Sequence, residues 1–259
     1  MVAGFHSFHW HGSELADAEL DRALDELTSP TERDAYLRAF SSMLHSGNTV
    51  AAGIALDHFQ YSGALTRFGG ESALEQYEAE ALAVARELLR LPPTPEDDVT
   101  FEGANHLSAL NTIGAHDAEA SDAGPISDLL ETAASEMVRH KALWVAYGVF
   151  KKAKSPDPRL LGIVHDLVSG PALSGHEELA LHVLGDTLGP EANPFLIRAL
   201  ASDDVSVQVE AAWQLSHPRR IEGHRELLTG VAGSWPALTG RPRFLAAQVR
   251  KRALDGGSG

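Results

Sequence analysis

The chain has 259 residues, 44% hydrophobic and 22% charged, with 36 acidic against 21 basic side chains and a formal charge of −15. That mix suits a folded chain with a substantial core, and the absence of cysteine excludes disulfides, thiolate metal sites and a cysteine nucleophile. No apolar run approaches the roughly 20 residues that cross a bilayer, and no basic-then-apolar N-terminal segment is present, so a cytoplasmic protein without membrane association is expected.

Apolar residues spaced by three and four, with their stop signals, predict helices from one end to the other. Residues 1–12 contain Phe5-His6-Ser7-Phe8-His9-Trp10-His11. His9 and His11 would share a side of an extended chain, one ingredient of a metal site. No carboxylate before Glu14 completes it, so these aromatics are expected to cap the fold, with no metal and no cofactor bound. Ser13 caps a helix over 14–27. Ser29-Pro30 breaks it and opens the next, over 31–45, because proline is tolerated in a first turn but not inside a helix. Gly47-Asn48-Thr49 turns into a third helix over 50–66, ended by Gly69-Gly70. A long amphipathic helix over 71–91 is closed by Pro92-Pro93-Thr94-Pro95, and 100–113 returns as its partner.

Tighter pairs follow: 125–134 with 136–152, 158–168 with 174–188, 194–201 with 205–216, and 221–231 with 241–254. Pro125, Pro158 and Pro194 stand in first turns, a periodic mark independent of the apolar pattern. No strand pattern of useful length occurs. The reading is a single all-α domain over 1–255 with about six helix pairs, and 256–259 as a flexible tail or cloning scar.

Within these pairs a pattern repeats. Val138-Arg139-His140-Lys141-Ala142-Leu143-Trp144 and Val207-Gln208-Val209-Glu210-Ala211-Ala212-Trp213 lie 69 residues apart, and the segment from Gly175 to Leu181 fits the same register. A period of about 30 to 40 residues built from two helices predicts an α-solenoid, in which each pair buries its apolar face only against its neighbours. The segment 193–215, with a leucine-rich first helix, an Asp203-Asp204 turn and a valine followed by paired alanines, resembles a HEAT repeat. The likeness covers about residues 125–216 and is weaker over the first 120. It implies a HEAT-like α-α superhelix that binds other proteins on a concave face. Gln208 departs from the family, where arginine is common; Arg139 has it.

Parts of the same sequence also resemble two enzymatic HEAT-like groups. His176-Glu177 is similar to the His-Glu motifs of HEAT-like di-iron deoxyhypusine hydroxylases, which need four such motifs, and the matching positions read Arg139-His140 and Gln208-Val209. One motif does not hold a dinuclear centre. HEAT-like DNA glycosylases grip the duplex backbone on a basic face, and a chain at −15 opposes many phosphate contacts. Nucleic acid is therefore disfavoured.

Charge is unevenly spread. Residues 1–120 hold 20 acidic and 6 basic side chains, a net of −14, while the remainder holds 16 and 15. This asymmetry suggests a basic partner or head-to-tail self-association. On the helix over 136–152, Val138, Ala142, Val145 and Val149 form a core stripe, while His140, Trp144 and Tyr147 form another on the far side. Trp213 repeats the placement of Trp144. Asp57, His58, Tyr61, Asn105 and His106 are polar groups set among apolar residues, each needing a hydrogen bond or a groove. All nine are candidate binding residues. The expected function is a non-catalytic scaffold or adaptor that binds a protein or peptide, with no catalytic residue assigned; the alternative is an enzyme on the same scaffold with a site near His58 and His106.

Overall fold

The computed structural model describes residues 30–61, 65, 71–96, 101–153, 155–169 and 176–255. The expected helix over 14–27, the aromatic segment 1–12 and the tail 256–259 lie outside them. Among the described residues there are twelve α-helices and no strand: α1 Pro30–Leu44, α2 Thr49–Tyr61, α3 Glu71–Leu88, α4 Ala104–His116, α5 Ala123–Thr132, α6 Glu136–Lys152, α7 Pro158–Ser169, α8 Glu177–Leu188, α9 Asn193–Ala199, α10 Val205–Leu215, α11 Arg225–Ser234 and α12 Gly240–Asp255. The fold is all-α, as the sequence predicts. Contacts concentrate in two compact units that meet in sequence at Ser155 and Pro156.

In the first unit the pairs are α1 with α2, α3 with α4, and α5 with α6, and the second helices also pack on one another, α2 on α4 and α4 on α6. α4 therefore has neighbours on three sides, and every residue from Ala104 to Ile113 is buried. Fully burying one leucine or isoleucine contributes about 1.5–3 kcal/mol, so Leu110 and Ile113, both 0% exposed, make this helix the core of the unit.

The second unit repeats the arrangement. α7 pairs with α8, α9 with α10 and α11 with α12, while α8, α10 and α12 stack in a row. Its core joins Leu181, Leu196, Val209, Ala211, Ala212, Leu215, Leu228 and Val249. Paired alanines at 211 and 212 carry little bulk, which lets α10 approach the helices on both flanks.

Three helix starts carry side-chain caps. Asn48 Oδ1 accepts from the amides of Val50 and Ala51 at 3.0 Å, Asp157 Oδ1 from Leu160 at 2.9 Å and Asp204 Oδ1 from Ser206 at 2.8 Å. Each satisfies amides that have no partner inside the helix. α4 begins after Gly103, whose φ of +80° is one that residues with a Cβ rarely adopt.

Candidate functional site

Asn105 and His106 of α4 turn toward the proline-rich loop before it. Asn105 Oδ1 accepts from the Thr94 amide at 2.9 Å, its Nδ2 donates to the Pro92 carbonyl at 3.1 Å, and its own amide donates to Thr94 Oγ1. His106 Nε2 donates to the Leu91 carbonyl at 2.9 Å. Burial pushes the His106 pKa below the ordinary histidine value, with the Leu91 bond opposing it, so the ring is neutral near pH 7. The amide and the imidazole thus supply donors and acceptors to a loop in which prolines cannot donate.

On α2, Asp57 and His58 are both buried, and His58 Nδ1 lies 3.3 Å from the Tyr36 hydroxyl of α1. The Tyr61 side chain lies outside the described residues. Among the described residues no group of three or more His, Asp or Glu side chains has an arrangement that would hold a metal ion.

α6 shows the two faces expected of it. Val138, Ala142, Val145 and Val149 are all at most 1% exposed. On the other side Met137, His140, Trp144 and Tyr147 follow one another at spacings of three, four and three, with Met137 50% and Trp144 45% exposed. Trp144 Nε1 donates to His140 Nε2 at 3.2 Å, and Lys151 Nζ sits 4.5 Å from the centre of the Tyr147 ring. The stripe is an apolar and aromatic strip with a polar edge.

Trp213, at the matching position of α10, has a different environment. It packs against the core of the second unit, and the Arg252 guanidinium lies 4.1 Å over its ring. Arg252 also donates to Ser216 Oγ. The repeat therefore places one tryptophan at the surface and tucks its counterpart beneath a cation from α12.

The structure reveals a polar cluster that the sequence reading did not single out. Glu210 of α10 is 0% exposed; its Oε2 accepts from Arg241 Nη2 of α12 at 2.6 Å, while Oε1 lies 3.3 Å from His182 Nδ1 of α8 and 3.2 Å from Gln214 Nε2. Gln214 Nε2 also reaches His182 Nδ1 at 3.0 Å. Arg241 extends to Glu178 at 3.4 Å, so one network ties three consecutive second helices together. Burial pushes the Glu210 carboxyl up, but the bonds from His182 and Gln214 and the charge of Arg241 more than offset this and hold it below the ordinary glutamate value. The signal available in sequence was Glu210 and Gln214 four apart beside small alanines. Their partners lie 31 and 32 residues away.

A second arginine in this unit works on backbone. Arg220 is buried and donates to the carbonyls of Gln214 at 3.0 Å, Gly189 at 2.6 Å and Gly185. It therefore satisfies the C-terminal ends of α8 and α10 at once, where orphan carbonyls and the negative helix pole favour a cation. A cleft of about 390 Å³ beside it is lined by Asp186, His217 and Arg219 among others.

The chain is similar to two solved structures of engineered proteins from the Northeast Structural Genomics Consortium. One is 18% identical with a TM-score of 0.50, covering 85% of this chain and 95% of that one. The other is 15% identical with a TM-score of 0.49, covering 94% of this chain and 67% of that one. At such identity the first likeness speaks for the fold alone. No family model matches the chain, and neither does any curated protein.

Proposed function

We propose that this chain is a non-catalytic binding module, a HEAT-like scaffold or adaptor, that grips another protein or peptide through its second helices. The observation that carries the reading is the stripe Met137, His140, Trp144 and Tyr147. It leaves a methionine 50% and a tryptophan 45% exposed on a helix whose opposite stripe is dry. Exposed aromatic and methionine side chains cost solvation in the free chain and are the types that dominate binding energy at interfaces.

Charge supports a basic partner. Glu32, Asp34, Glu75, Glu87, Glu96 and Glu102 of the first unit are all exposed, within a sequence half at −14, and such a field attracts and orients cationic surfaces. No described helix is long and apolar enough to cross a membrane, which fits a partner met in water. The test is comparative capture from the source cells with immobilised wild type and Trp144→Ala. A partner retained by the first and lost by the second, with both equally helical, is the expected result; identical capture by both contradicts the reading.

A further inference from the structure

In the first unit a cavity of about 260 Å³ opens between the start of α4, the end of α5 and the start of α6. Its walls include Pro93, Leu129, Ala133, Ala134 and Val138, which are apolar, and its polar lining includes Glu102, His106 and Ser135.

Each of these three side chains keeps an acceptor atom that makes no hydrogen bond or ion pair among the described residues. His106 is 5% exposed, and its Nε2 is committed to Leu91. Its Nδ1 lies on the side of Gly103, 3.9 Å from where a Cβ on that residue would stand, and Gly103 lines the same cavity. A neutral imidazole with its proton on Nε2 presents Nδ1 as an acceptor. No hydrogen bond reaches Nδ1 among the described residues. Ser135 stands at the N-cap of α6, where a serine ordinarily accepts from the helix amides, but it makes no such bond. Glu102 forms no ion pair among the described residues. Among the described residues the pocket thus offers three acceptor groups, one of them anionic, and Glu102 is the only charged residue of its lining. Arg139, which bonds the Ala133 carbonyl, is not part of the lining.

We infer that this pocket binds a primary ammonium group on a short alkyl chain, as carried by a lysine side chain or a small free amine. An ammonium has three N–H donors and no acceptor, which complements three acceptors, and a chain of methylenes suits the apolar wall. At about 260 Å³ the cavity lies just below the roughly 300–1,000 Å³ typical of pockets for drug-sized ligands, a size that suits a short-chain amine. The inference holds whether or not the α6 stripe is a partner surface.

The experiment is a titration of ¹⁵N-labelled protein at pH 7 followed by amide chemical shifts, with n-butylamine as the probe, n-butanol and butyrate as neutral and charge-reversed arms, and Nα-acetyl-lysine N-methylamide as the lysine arm. Saturable shifts within residues 102–106 and 129–138 are expected for butylamine, weakened about fivefold or more in Glu102→Gln and in Ser135→Ala. Both substitutions are near the surface and leave the core intact. A lysine derivative binding as tightly as butylamine assigns a polypeptide side chain, and its exclusion assigns a small amine. Absence of saturable shifts, equal shifts with butanol or butyrate, or an unchanged affinity in Glu102→Gln would overturn the inference.

Discussion

Arg139 and Gln208, 69 residues apart, make the same hydrogen bond: each reaches the carbonyl six residues back, Arg139 Nη1 to Ala133 and Gln208 Nε2 to Ser202, both at 2.6 Å. The side chain in each case ties the second helix of a pair to the turn that precedes it. Gln208 also accepts from Trp235 Nε1 at 3.0 Å, which an arginine cannot do. Gln208→Ala is therefore expected to lose about 1–3 kcal/mol in urea denaturation, since two partners are left without it. Gln208→Arg should lose about half as much, because it keeps the carbonyl bond. Equal losses for the two variants would show that the shared bond contributes nothing.

Glu210 gives a pH dependence of defined sign. Its folded pKa is below the ordinary value of about 4.5, so its contribution is fully present above that pH and disappears as pH falls through the folded value. Glu210→Gln should cost about 1.5–3 kcal/mol at pH 7, the worth of hydrogen bonds to a charged group. The gap between wild type and variant should close on acidification below pH 4.5. A gap that is constant from pH 7 to pH 3 would contradict the buried, ionised assignment.

The order of helices was legible because each pair carries its own punctuation. Proline in the first turn, apolar spacing and polar turns placed α5 through α10 within a few residues. Boundaries missed where backbone geometry intervened: 100–113 starts only at Ala104, because Gly103 sits at φ +80°, and 221–231 starts at Arg225, because residues Ile221–Gly223 form a 3₁₀ turn. The candidate sites were less legible. Whether Asn105 faces a groove or a loop depends on Thr94, eleven residues away, and the equal sequence contexts of Trp144 and Trp213 conceal that only the latter meets Arg252. Position in a repeat fixes which way a side chain leaves its helix, while its surroundings come from the neighbouring repeat.

Close packing makes Gly185 and Gln214 a testable pair. A Cβ on Gly185 would stand 2.7 Å from Gln214 Oε1 and 2.8 Å from its Cγ. Gly185→Ala should therefore cost about 1–3 kcal/mol through overpacking. Gln214→Ala should relieve that clash, so thermal unfolding of the double variant should show less than the sum of the single losses. Strict additivity would mean that the two residues do not touch.

Arg220→Ala should destabilise the second unit by about 3 kcal/mol or more, as it leaves three carbonyls without their donor. Arg220→Lys should recover only part of this, because one ammonium does not reproduce the fork of a guanidinium. Full recovery by lysine would show that charge alone, and not the shared capping of two helices, is what the site requires.

The central claim is that the α6 stripe anchors a partner, and calorimetric titration of the captured partner into wild type and Trp144→Ala tests it most directly. With helical content and melting temperature preserved, the variant is expected to bind at least about 30-fold more weakly, the roughly 2 kcal/mol of a hot-spot residue. An affinity unchanged within twofold would contradict the account.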